Sequence, residues 1–195
     1  MPSIEGSSKP KSLTDSVEEV LRMHNIQFER SQAEELAKKL NSLGMRNAVK
    51  VLDCVLDPEC IRFGPEVRVP VERAFEDVFG PGSLVKAQIA EELRRWGLDG
   101  LFSVDLVYDV YRGLRSVVEM LRRWRVVRGM YRRTLIRASI AWLVFKVAEV
   151  KGVDEGEAER LLKEIGWERA LGLVKLVRIL RDYLLNSTQT SNSTS

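Results

Sequence analysis

The sequence predicts a mainly α-helical protein, and three observations carry that expectation. Apolar residues recur at helical spacing over long stretches, as in Val107, Val110, Tyr111, Leu114, Val117, Leu121 and Trp124. Helix start and stop signals punctuate the chain, among them Ser31 three residues before Glu34, Gly44, Gly97 and Ser103. A single segment, CIRFGPEVRVP, alternates as strands do. With 195 residues, 45% of them apolar and 30% charged, the chain is long enough to bury a core without staples.

The N-terminal region, residues 13–80, reads as short helices. Ser12 to His24 forms one, with Val17, Val20 and Leu21 on one face and His24 capping its end. The capping box Ser31 to Glu34 opens a second, with Ala33, Leu36, Ala37 and Leu40 facing inward and Gly44 as its left-handed stop. A third runs from Arg46 to Leu56 and stops before Pro58. Ile61 and Phe63, then Val67 and Val69, flank Gly64 and Pro65 as a small β-hairpin, and Pro70 starts a short helix ending at Gly80. Helix, tight turn and helix make a helix-turn-helix layout, with Arg46, Asn47 and Lys50 at the start of the reading helix. The hairpin, with Arg62 and Arg68, stands where a wing would stand, so the region resembles a winged helix in outline. An ordinary helical hairpin fits the same residues.

Residues 84–185 read as five helices. The first, Leu84 to Trp96, closes at Gly97. The second runs from its N-cap Ser103 to about Val127, with Trp124 continuing the core stripe. The loop RGMYRR leads to Thr134, the N-cap of a third helix, Leu135 to Lys151, which is apolar on nearly every face and so expected to be buried all round. A fourth opens at Asp154 and runs to about Ile165. The fifth spans Trp167 to Leu185, with Leu173, Val174, Val177, Leu180 and Leu184 facing in. Residues 1–12 and 186–195 are polar and expected to be disordered tails.

Charge is the strongest functional signal. Nine arginines and one acid, Glu119, fall between Arg112 and Arg137, so this segment carries +8 in a chain of net +3 and leaves −5 on the other 169 residues. Such polarisation is an electrostatic footprint for a polyanion. Arg outnumbers Lys about two to one, which suits phosphate because guanidinium donates in pairs. Arg112, Arg115, Arg122 and Arg125 lie off the apolar stripe, Arg123 adds to them, and Arg128, Arg132 and Arg133 extend the cluster into the loop. Trp124 and Tyr131 sit among these arginines and would stack on unpaired bases wherever they are exposed. The competing expectation is a solvated face paired to the acids Asp154, Glu155, Glu157 and Glu159.

Other chemistry has little to stand on. Cys54, Cys60 and His24 cannot make a four-ligand zinc site without a carboxylate, and the plain reading is a buried Cys54 beside an unremarkable Cys60, with a Cys54–Cys60 disulfide as the alternative. Asp53 with Asp57 and Asp105 with Asp109 are carboxylate pairs at i, i+4 with no third ligand to name. No phosphate-cradling glycine loop and no nucleophile motif is present, so no catalytic residue, metal or cofactor is expected. The polar start MPSIEGSSKPKS does not read as a signal peptide, and the longest apolar run, 138–150, is broken by Lys146 and Glu149, so a cytoplasmic protein with no membrane partner is expected.

RTLIRASIAWLVFKVAEVKG, with small residues at Ala138, Ala141 and Ala148, and the following VDEGEAERLLKEIGWERALGLVKLVRIL resemble a cyclin box, in particular a core repeat of the TFIIB transcription-factor family. The resemblance covers residues 84–185. It implies a buried third helix ringed by four others, and a final helix in the recognition place with Arg169 and Lys175 near DNA. The zinc ribbon and second repeat of those factors are missing, so a divergent relative is implied and not a complete general factor. The expected function is non-enzymatic nucleic-acid binding, DNA before RNA, in a transcription-related role. The alternative is a helical scaffold that binds an acidic protein or a second copy of itself.

Overall fold

The computed structural model describes residues 10–128 and 131–191. The helices are α1 (Leu13–Met23), α2 (Arg30–Ser42), α3 (Ala48–Leu56), α4 (Pro65–Phe79), α5 (Ser83–Arg95), α6 (Val104–Arg123), α7 (Arg132–Lys151), α8 (Glu155–Glu164) and α9 (Glu168–Ser191). No strand occurs among the described residues. The chain divides into two units between Glu91 and Glu92, inside α5, and not at residues 80–84.

In the first unit, α1 packs on α2 and α3, while α4 packs on α2 and α3. Its core holds Val17, Leu21, Leu36, Leu40, Val51, Leu52, Val55, Val71, Phe75 and also Leu84, the residue expected to open the second bundle. The expected hairpin is absent: Gly64 is the extended N-cap of α4, Pro65 sits in its first turn, and Pro70 is carried inside the helix. Proline at the helix start forfeits no hydrogen bond. Pro70 does forfeit one. The helix persists because Val67, Val71, Ala74, Phe75 and Val78 fall on one helical face and pack into the core, whereas a strand would leave half of them in water.

Two boundaries differ for local reasons. α2 opens at Arg30, because Gln32 accepts from the Glu29 backbone N–H at 2.9 Å, so the working box lies two residues before Ser31 and Glu34. α3 begins at Ala48 with Asn47 as N-cap, which leaves Arg46 outside the helix. The plain reading of the cysteines is also overturned: Cys54 of α3 and Cys60 of the following loop form a disulfide, with Cα atoms 5.2 Å apart. Arg68 pins the same loop by donating to the Cys60 carbonyl at 2.7 Å.

In the second unit α7 packs against α6, α8 and α9. Leu135, Ile136, Ala138, Ile140, Ala141, Phe145 and Ala148 are buried, but Trp142, Leu143, Val144 and Val147 are only half-buried, so the helix is central without being covered on every face. Thr134 is not its cap, because α7 already starts at Arg132 with Tyr131 as N-cap. α9 continues to Ser191, past the expected end at Leu185. Ser12, Ser103 and Asp154 cap α1, α6 and α8 by accepting from backbone N–H groups, as their side chains favour. The expected tail residues 1–9 and 192–195 lie outside the described residues.

Candidate nucleic-acid interface

α6 sorts its residues by angle. Val107, Tyr111, Leu114, Val118 and Leu121 are buried and define the core side. At about 100° per residue, Arg112, Arg115, Glu119, Arg122 and Arg123 fall together on one exposed flank. Arg125, expected off the apolar stripe, instead occupies the next core position after Leu121, where an arginine cannot continue the buried face. The helix therefore ends, and Trp124, expected in the core, becomes its C-cap at 62% exposure.

The closure of α6 is unusual in its chemistry. Arg125 adopts a left-handed backbone with φ 57°, and Val126 N–H donates to the Leu121 carbonyl at 2.9 Å. The same six-residue closure ends α1, α5, α7 and α8, where Ile26, Leu98, Val153 and Trp167 donate back to Leu21, Leu93, Ala148 and Leu162. At those four ends the left-handed residue is Asn25, Gly97, Gly152 or Gly166. Glycine and asparagine tolerate that conformation, whereas an arginine Cβ is crowded there. Position 125 thus carries a residue poorly suited to its backbone, whose side chain is exposed and charged.

The predicted cations separate into two groups. Arg115 pairs with Glu119 at 3.4 Å, and Arg132 is half-buried and hydrogen-bonds the Tyr111 hydroxyl. Burial pushes that hydroxyl above its ordinary pKa even though Arg132 and Arg115 pull it down. Arg112, Arg122, Arg123, Arg125 and Arg128 are exposed, Arg133 is half-exposed, and none of the six has a carboxylate partner among the described residues. The ninth arginine of the segment, Arg137, turns inward and donates to the buried Glu92 at 2.6 Å, as does the Trp96 indole N–H at 3.0 Å. Arg137, included in the charge of the segment, is thus an internal contact and not part of the exposed face.

The acids expected to neutralise the arginine face are engaged elsewhere. Asp154 caps α8, Glu155 pairs with Arg178, Glu157 with Arg160, and Glu159 with Lys175 and Lys163. Bonds from Lys175 and then Lys163 hold the Glu159 carboxyl below its ordinary pKa. Lys175 is therefore occupied within its own unit, while Arg169 of α9 is exposed.

The helix-turn-helix candidate offers less. Of α3, Ala48, Val51, Leu52, Cys54, Val55 and Leu56 are buried, and Asp53 is bonded to the His24 ring at 2.7 Å. Lys50 and the preceding Arg46 are exposed, but a helix packed on most faces has little left to enter a groove. Asp57 accepts from the Glu59 N–H at 2.9 Å, so the first carboxylate pair is used within the fold. Asp105 and Asp109 lie exposed on α6, where Asp105, in the first turn, complements its dipole. Among the described residues no group of three or more His, Cys, Asp or Glu side chains is placed to hold a metal, and no helix is long and apolar enough to cross a membrane.

Compared with protein-family models, with curated proteins and with solved structures, the chain matches none.

Proposed function

We propose that this chain is a non-enzymatic nucleic-acid-binding protein whose contact surface is the exposed flank of α6 and the connection into α7. The observation that carries this reading is the set of six arginines without carboxylate partners, Arg112, Arg122, Arg123, Arg125, Arg128 and Arg133, while the acids of α8 that could neutralise them are engaged elsewhere. Unpaired guanidiniums crowded together repel one another. A polyphosphate chain relieves that repulsion and releases its own counterions. DNA is the proposed polymer, in a transcription-related role that rests on the cyclin-box resemblance of residues 84–185. The packing of α7 against α6, α8 and α9 is what a central helix in that resemblance would require.

The test is fluorescence anisotropy with labelled duplex DNA, single-stranded DNA and RNA over a series of salt concentrations. If all six arginines engage phosphates, log affinity falls with log salt at a slope of about −4 on a single strand and about −5 on a duplex. Replacing Arg122, Arg123 and Arg125 by Ala halves the slope. No binding at low salt refutes the proposal.

A second reading, a helical scaffold, is favoured by the apolar residues Ile179, Tyr183 and Leu185, which α9 leaves exposed. Concentration-dependent mass from light scattering, unaffected by loss of the arginines, would support it.

A further inference from the structure

Resting on that reading, we infer that the ligand is an unpaired strand, with a base stacked on Trp124. The chain has four tryptophans. Trp96 and Trp167 pack edge to face at 5.5 Å, and Trp142 lies under the Arg181 guanidinium at 5.9 Å. Trp124 has no ring or cation partner among the described residues and is 62% exposed. An indole left in water loses the stabilisation that burial would supply. Here its backbone is fixed by the closure at Arg125, and it is flanked in sequence by Arg122, Arg123 and Arg125. At the far end of the same connection stands Tyr131, 74% exposed and likewise without a ring partner.

An exposed aromatic among cations is the arrangement that grips a single strand: the arginines follow the phosphates, and the ring offers its face to any base. In a duplex the base faces are already stacked, and only edges and phosphates are open to contact. Along the α6 flank Arg115 is engaged by Glu119, so most of the cations left for phosphate lie toward the end of the helix, beside the indole.

The experiment uses the full chain, a pyrimidine single strand of about 16 nucleotides and a duplex of the same length. Binding is read by anisotropy of the labelled strand and by tryptophan emission. The strand should quench the emission and bind more tightly than the duplex. Trp124→Ala should abolish the quench and weaken strand binding about tenfold, leaving duplex binding unchanged. Trp124→Phe should restore much of the affinity without restoring the quench. Trp124 is exposed, so both variants should keep the wild-type circular dichroism. Equal strand affinity in wild type and Trp124→Ala, with salt dependence intact, overturns the stacking inference alone. Absence of binding to either form at low salt overturns the nucleic-acid reading on which it rests.

Discussion

Arg125 joins folding and function at one residue, and replacing it separates the two. Its left-handed backbone costs an L-residue about 1.5 kcal/mol, while glycine, which escapes that cost, loses about 0.7 kcal/mol more chain entropy on folding. Arg125→Gly should therefore be more stable than Arg125→Ala by about 0.8 kcal/mol, both variants lacking the charge. Against the wild type the gain is smaller, about 0.5 kcal/mol, because a cation at the C-terminal end of α6 is itself worth about 0.3 kcal/mol. All four tryptophans lie after Glu91, so urea unfolding followed by their emission reports on the second unit. In binding, both variants should lose about 0.7 from the salt slope on single strands, the contribution of one phosphate contact. Arg125→Lys should keep that slope without gaining stability. If Ala is as stable as Gly, the left-handed closure is not what limits position 125. If the slope is unchanged in both, Arg125 does not touch phosphate.

Four further outcomes test the packing within the two units. Ala141→Leu should destabilise the second unit by about 2 kcal/mol through overpacking at a fully buried site, and a change near zero would refute the tight central helix. Glu92→Ala should cost about 3–5 kcal/mol in the same urea assay, because it removes the acceptor of the Arg137 and Trp96 bonds; a surface-like value would place that pair in solvent. Reducing the Cys54–Cys60 bond should lower the stability of the first unit by about 2 kcal/mol, the loop entropy of so short a closure, as followed by circular dichroism with and without reductant. Glu159 has a depressed carboxyl pKa, so its contribution is complete above the ordinary value of 4.5 and is lost as pH falls through the folded-state value; Glu159→Gln should flatten the acid limb of stability, and an unchanged limb would disprove the bonds from Lys175 and Lys163.

The candidate surface was partly legible in the linear chain. The arginine density around Arg122 and the off-stripe position of Arg112 follow from counting at helical spacing, since both are properties of neighbours on one helix. The exposure of Trp124 was readable in principle: a core stripe whose next position is Arg125 must end, and the residue before it is carried out with the turn. Which of the cations are already satisfied was not readable. The partners of Arg132, Arg137 and Lys175 are Tyr111, Glu92 and Glu159, and in each case at least 16 residues separate the pair.

What the sequence determined by itself was local: the helical class, the openings at Ser103 and Asp154, the stops at Gly44 and Gly97, and the polarised charge. Each depends on interactions within one or two turns, so chain order suffices. Tertiary structure decided the rest. It made α4 a helix despite Pro70, because Val71 and Phe75 had a core to enter. It joined Cys54 to Cys60, which only the fold of the intervening loop brings to bonding distance. It drew Arg137 inward to Glu92 and left Arg122, Arg123 and Arg125 facing water, because the buried carboxylate demands a counter-charge that an exposed flank cannot supply.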